Sequence, residues 1–261
     1  MPPMPPMPLA AEALKRSRTT FRTFPFADAP RVWDVTLGVE VVDIDRPPGR
    51  DESAFLAGLM TAVCRPSLWL APGLVLVAPQ LSGAGTGKGL LARAICIIAF
   101  GQPPRAFTGG HDSEELEKRI AAKLIEAEPA LFLDNVNNTA LSSPTLASAM
   151  TERPAQVRDF GRLRMLLLNA TAFVVVTGNA LSVGVDLVRR FITADLDAKM
   201  EDPEERPFPP GFLNSIRERR AELLADLLTI WRWGRQNPGA LSGVSRSEAL
   251  RPGRSGSGTR C

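Results

Sequence analysis

The chain of 261 residues is 44% apolar and 23% charged, with a formal charge of +3 and a pI near 9.0. That balance is ordinary for a globular chain, and no apolar run approaches the ~20 residues that would cross a bilayer. A single histidine, His111, argues against a His-built metal centre or catalytic triad, and Cys64, Cys96 and Cys261 lack zinc or disulfide spacing, so a reducing, cytoplasmic setting without a membrane is expected.

Residues 1–20 are rich in Pro and Met and then basic (Lys15, Arg16, Arg18), and read as a disordered arm. Their start is neither a basic n-region nor an apolar h-region, so no secretory signal is read there. The abrupt beginning leaves open whether the chain is a piece of a longer protein. Residues 21–70 form a leader, with β-like pieces at 31–37 and 38–44 and an amphipathic helix over 51–64.

The next stretch is the most informative. Leu74 to Val77 is a buried strand by its apolar run. A glycine-rich turn follows, Ser82-Gly83-Ala84-Gly85-Thr86-Gly87-Lys88-Gly89, and then Leu90, Leu91, Ala94, Ile95 and Ile98 recur at helical spacing. Strand, glycine loop, lysine and helix in that order make a phosphate-binding loop. Glycines let backbone N–H groups turn inward, and the helix N-terminus adds positive potential, so amides hold a polyphosphate. Lys88 reaches for the β- and γ-phosphates, with Gly83, Ala84, Gly85, Thr86, Gly87, Gly89 and Leu90 around the nucleotide. Two positions depart from G-x-x-x-x-G-K-[ST]: Ser82 replaces the first glycine, and Gly89 replaces the hydroxyl that serves Mg²⁺.

Further along, 105–108 reads as a short strand, and a helix starts with Ser113 as its cap and runs to about Glu126. Ala130-Leu-Phe-Leu-Asp134 is a buried strand delivering a carboxylate to the metal side of a nucleotide. Asn135 stands where a water-activating glutamate is common; an amide orients water but takes no proton. Glu114, Glu115 and Glu152 are fallback bases. A helix turn over 145–150 follows, capped from 142–144.

Residues 156–168 alternate basic and apolar, and a strand pair there is expected to gather Arg158, Arg162 and Arg164 on one face, for nucleic-acid phosphate or simply for water. A third apolar strand, 172–179, ends in Asn179, either a water-orienting residue beside the γ-phosphate or a plain Gly-Asn turn. Arg189 and Arg190 end a short helix, either as an arginine finger for a neighbouring subunit or as cations favoured by the helix dipole. A last strand is read over 191–196, a proline-rich linker from 201, a helical segment over 212–233, and a disordered tail over 239–261.

Taken in order, Ser82-Gly-Ala-Gly-Thr-Gly-Lys-Gly, Leu131-Phe-Leu-Asp-Asn, Val176-Thr-Gly-Asn and Asp186-Leu-Val-Arg-Arg resemble a P-loop ATPase of the AAA+ type. They look most like the helicase-like ATPase domains of phage and mobile-element primase–helicase replication proteins. The resemblance covers about 50–238. It implies an α/β fold: a three-layer P-loop NTPase with a mostly parallel five-stranded sheet (core 71–200) and a small helical lid (201–238). It implies ATP and Mg²⁺ as cofactors, Asp134 on the metal, Asn179 as a sensor, Arg189 or Arg190 on a neighbour's ATP, and Arg217 as a second sensor. Implied partners are copies of the chain in a ring, single-stranded DNA and a primase–polymerase. A nucleotide-binding assembly or regulatory module with little hydrolysis is the rival reading, motivated by Gly89 and Asn135.

Overall fold

The structure, a computed structural model, describes residues 5–80, 83–108, 112–137, 140–162 and 164–241. Ser82, His111, Cys261 and the tail beyond 241 therefore lie outside the described residues.

In chain order, helix α1 (Met7–Phe21) leads to the hairpin β1 (Arg31–Asp34) and β2 (Val39–Val42), then α2 (Arg50–Cys64). β3 (Gly73–Ala78) and α3 (Lys88–Phe100) flank the glycine loop. β4 (Ala106–Thr108), α4 (Ser113–Ile125), β5 (Ala130–Asp134), β6 (Ala140–Leu141) and α5 (Pro144–Thr151) follow. The hairpin β7 (Ala155–Asp159) and β8 (Arg164–Leu168) precedes β9 (Phe173–Asn179), β10 (Ser182–Val183), α6 (Val185–Val188) and β11 (Phe191–Asp195). α7 (Phe212–Glu218), α8 (Arg220–Gln236) and α9 (Pro238–Leu241) end the described chain.

The protein is α/β. Its main sheet has five strands in the order β11-β3-β9-β5-β4, and every pairing in it is parallel. Period-two alternation divides the core into two layers. Leu74, Leu76, Phe132 and Val175 face one cluster with α2, α3, α7 and α8. Val75, Leu131, Leu133, Val174 and Val176 face a second cluster with α4, α5 and β7. Both faces of the central strands are covered, which explains why these strands read as unbroken apolar runs rather than alternating ones.

From Met7 onward the N-terminal arm is helical rather than disordered: α1 occupies Met7–Phe21. It folds because its side chains find distant partners. The buried Arg18 guanidinium pairs with Glu52 of α2 through Nε (2.6 Å) and Nη2 (2.9 Å), and it also donates to the carbonyls of Ile44 and Arg46. Arg16 pairs with Asp226 of α8 at 2.6 Å. Phe21 packs edge-on against Phe55, with ring centres 4.8 Å apart. Composition alone shows none of these contacts, since each partner is more than 25 residues away.

The C-terminal helices are equally integrated. Ile216, Leu223 and Leu227 are buried in the same core cluster as α2 and α3. Arg220 caps the far end of α3, donating from Nε to the Ile97 carbonyl at 2.9 Å, where unpaired carbonyls and the helix dipole favour a cation. α4 takes its cap from Asp112, which accepts from the Glu114 N–H, so the expected cap, Ser113, is the first helical residue instead. Asp112, one position earlier, has the extended backbone that a cap needs. α5 is capped by Ser143. Pro238–Leu241 is a short helix, three residues of which (239–241) were expected in the tail.

Candidate functional site: the phosphate loop at the carboxyl ends of the strands

β3, β5 and β9 lie side by side and point the same way, so their C-terminal ends converge. Open parallel sheets bind ligands at that edge. After β3 the chain turns through Gly85 and Gly87, both left-handed (φ 71° and 93°), before α3 begins at Lys88. Those conformations suit glycine. Space demands glycine as well: a Cβ on Gly87 would stand 2.7 Å from the Phe24 ring, and one on Gly85 would stand 2.5 Å from the Glu204 backbone nitrogen. A 3-10 turn, Pro203–Glu205, therefore lies directly against the loop. Neither Phe24 nor Glu204 was foreseeable from the motif.

Lys88 is buried, and its ammonium donates to the Gly83 carbonyl (2.6 Å) and the Thr86 hydroxyl (3.1 Å). Burial lowers its pKa to about 8, while the charge of Asp134 opposes that shift. Thr86, fully buried, donates its hydroxyl to the Gly83 carbonyl at 3.0 Å. Ala84 lies in the loop's turn, while Leu90, in the first turn of α3, lines an open apolar hollow with Phe208, Phe212 and Asn214.

Asp134 ends β5, half-buried. One carboxylate oxygen accepts the Thr177 hydroxyl at 2.5 Å, and the other lies 3.6 Å from the Arg93 guanidinium. Arg93 was not anticipated; the available signal was a lone charge in an apolar helix, one turn beyond Gly89. Thr177 was missed likewise, although a hydroxyl inside an apolar strand needs a partner when buried. Asn135 is exposed with left-handed backbone (φ 56°), and its N–H donates to Thr177 Oγ1 at 3.2 Å.

Asn179 ends β9. Its side-chain Oδ1 is buried with no partner among the described residues, and a Cβ on Gly83 would stand 2.5 Å from it. Its side chain thus lies against the phosphate loop. The Gly-Asn turn reading explains the backbone but not this placement.

The remaining candidates lie elsewhere. Arg190 precedes β11 and accepts from the Gly73 N–H at 2.9 Å, which puts Arg189 and Arg190 at the opposite end of the sheet from the loop. Arg217 is exposed on α7 and donates to Asn214 at 2.8 Å, with no contact to the loop among the described residues. The fallback carboxylates are tied to their own helices: Glu114 to Lys118, Glu115 to Arg119 and Glu152 to Ser148. Arg158 and Arg164 do not share a face. Arg158 opposes Met165 and Asp159 opposes Arg164, so the two arginines fall on opposite sides of the hairpin.

A polyphosphate fits this loop: an inward lysine without a carboxylate partner of its own, left-handed glycines and a helix N-terminus all favour an anion. The divalent cation implied by the resemblance does not fit the donor set. One oxygen of Asp134 accepts from Thr177, the Arg93 guanidinium stands 3.6 Å from the other, and Gly89 offers no hydroxyl.

No helix among the described residues is long and apolar enough to cross a membrane. No protein-family model and no curated protein matches the chain. Among solved structures it is similar to the apo form of the C-terminal region of NrS-1, at 15% identity and a TM-score of 0.42, over 77% of this chain and 52% of that one. The chain thus spans about half the length of that structure.

Proposed function

We propose that the chain is a P-loop ATPase that binds ATP at Lys88 and hydrolyses it as an oligomer, in the manner of a helicase-like motor on single-stranded DNA in phage or mobile-element replication. The observation that carries the nucleotide reading is the convergence of Lys88, Asp134, Thr177 and Asn179 at one edge of the sheet. Lys88 and the loop amides hold the β- and γ-phosphates. Asn179, its carboxamide oxygen unpartnered beside the loop, orients water near the terminal phosphate. The DNA, the ring and a primase–polymerase partner rest on the resemblance. The far-end position of Arg189 and Arg190 agrees with a role on a neighbouring copy, since they cannot reach their own loop.

A second reading, a nucleotide-binding assembly module with little turnover, is favoured by Asn135. Asn135 is exposed, and among the described residues the fallback carboxylates Glu114, Glu115 and Glu152 are held on their own helices.

Steady-state ATP hydrolysis with and without single-stranded DNA, run beside Lys88→Ala, separates the two. Lys88-dependent turnover that DNA stimulates is the expected result. Nucleotide binding without turnover under either condition transfers the conclusion to the module. Arg189→Ala with Arg190→Ala is expected to lower turnover by about a thousandfold or more, the low end for an arginine finger, with ATP affinity unchanged. An equal fall in affinity removes the trans-acting role.

A further inference from the structure

Gly89 and Arg93 are four residues apart on α3 and so share one helix face. Their relation is unusually close. A Cβ on residue 89 would stand 2.6 Å from Arg93 Nη1, so the guanidinium fills the volume that a residue-89 side chain would take. Nη1 donates to the Gly89 carbonyl at 3.0 Å, Nη2 lies 3.6 Å from Asp134, and the guanidinium carbon lies 5.4 Å from the centre of the Phe132 ring. One cation thus takes up both halves of a metal site: the space of the missing hydroxyl and the charge of the strand-end carboxylate. The Arg93 side chain keeps about a third of its surface exposed, so its planar fork is not sealed from an incoming ligand.

We propose that Arg93 is the built-in cation of this site, and that the loop binds nucleoside triphosphate without a divalent metal. The inference rests on the nucleotide-binding reading above. Its physical basis is that a guanidinium offers several fixed donors matched to phosphate oxygens, stays charged at any physiological pH, and is more weakly hydrated than an ammonium. The Phe132 face and the Gly89 carbonyl hold it in place before the ligand arrives, which lowers the ordering cost on binding. Gly89 is then required for this design. Any side chain there displaces the guanidinium.

The test measures ATP affinity by calorimetry in excess EDTA and in excess Mg²⁺, for the wild type, Arg93→Ala, Arg93→Lys and Gly89→Ser. Wild-type affinity is expected to differ by less than about threefold between the two conditions, under half of a tenfold step. Arg93→Ala is expected to lose about tenfold or more in EDTA, the scale of a lost charge-assisted hydrogen bond, and to recover part of it with Mg²⁺. Arg93→Lys keeps the charge without the fork and should fall between. Gly89→Ser pushes only the flexible end of Arg93, so folding survives, and its binding should become dependent on Mg²⁺. If Arg93→Ala fails to fold, Gly89→Ser decides. Wild-type binding only in Mg²⁺, or EDTA binding undisturbed in both Arg93→Ala and Gly89→Ser, overturns the role of Arg93 while leaving a nucleotide site. No wild-type binding in either condition overturns the nucleotide reading itself, and the inference with it.

Discussion

Arg18 and Lys88 are both buried cations, and their surroundings differ in the way that separates a structural charge from a binding one. Arg18 is saturated. Glu52 meets it with two oxygens, and the carbonyls of Asp43, Ile44 and Arg46 accept its remaining N–H groups. Lys88 has one carbonyl and one hydroxyl, and no carboxylate within salt-bridge distance among the described residues. Burial costs a cation several kcal/mol unless partners compensate. At Arg18 the fold supplies the compensation. At Lys88 it is withheld, and the depressed pKa, about 8, records the deficit. An anion arriving at the loop would make it up, so the strain at Lys88 favours a phosphate ligand.

The contrast is most directly broken at the saturated site. Glu52→Ala leaves Arg18 buried and unpaired, and stability by chemical denaturation is expected to drop by about 3–5 kcal/mol. A loss below about 1 kcal/mol would mean that the five carbonyl and carboxylate contacts do not anchor α1. Lys88→Met should do the reverse. It removes an under-compensated charge, and stability at pH 7 is expected to rise by about 1 kcal/mol. A destabilisation resembling that of Glu52→Ala would make Lys88 a structural residue and sink the comparison.

The pH dependence is the most specific effect. The folded-state pKa of Lys88, about 8, lies below its ordinary value of 10.5. The unfolded chain therefore binds more protons between those values, and stability rises with pH in that window, by up to about 1.4 kcal/mol per pH unit. Lys88→Met should lack that rise. ATP affinity runs the other way, because the ligand needs the ammonium. It should fall as pH climbs past about 8, by up to about tenfold per unit. Stability and affinity moving together with pH would refute the assignment.

Much of the site was legible because its signals are local. A glycine loop between an apolar strand and an apolar helix needs no long-range information: Gly85 and Gly87 must turn left-handed, and Lys88 must open α3. The strand ends at Asp134 and Asn179 were equally visible, because each closes an apolar run with a polar side chain. Arg93 was not legible in its role. Its spacing from Gly89 is local, but its meaning depends on Asp134, 41 positions away, lying on a neighbouring strand end. The arginines of the β7–β8 hairpin failed for a related reason. Alternation assigns sides within one strand, while the length of the turn decides which residues oppose each other.

The flanks divide the same way. The amphipathic periods of α2, α4 and α8 were readable in the chain, because a helix's apolar face repeats within a few residues. Whether α1 would fold was decided only when Glu52, Phe55 and Asp226 came within reach of Arg18, Phe21 and Arg16. Short helices are marginal alone, and tertiary contacts must offset the entropy of ordering them. By itself, then, the sequence determined the strand–loop–helix unit and the polar ends of the buried strands, which follow from neighbour-to-neighbour chemistry, while the three-layer α/β architecture came from the resemblance those motifs carry. The tertiary structure alone decided which cation faces Asp134, which end of the sheet carries Arg189 and Arg190, and that residues 7–21 are helical. Those outcomes depend on contacts between residues far apart in the chain, whose pairing free energy exists only after the sheet has assembled.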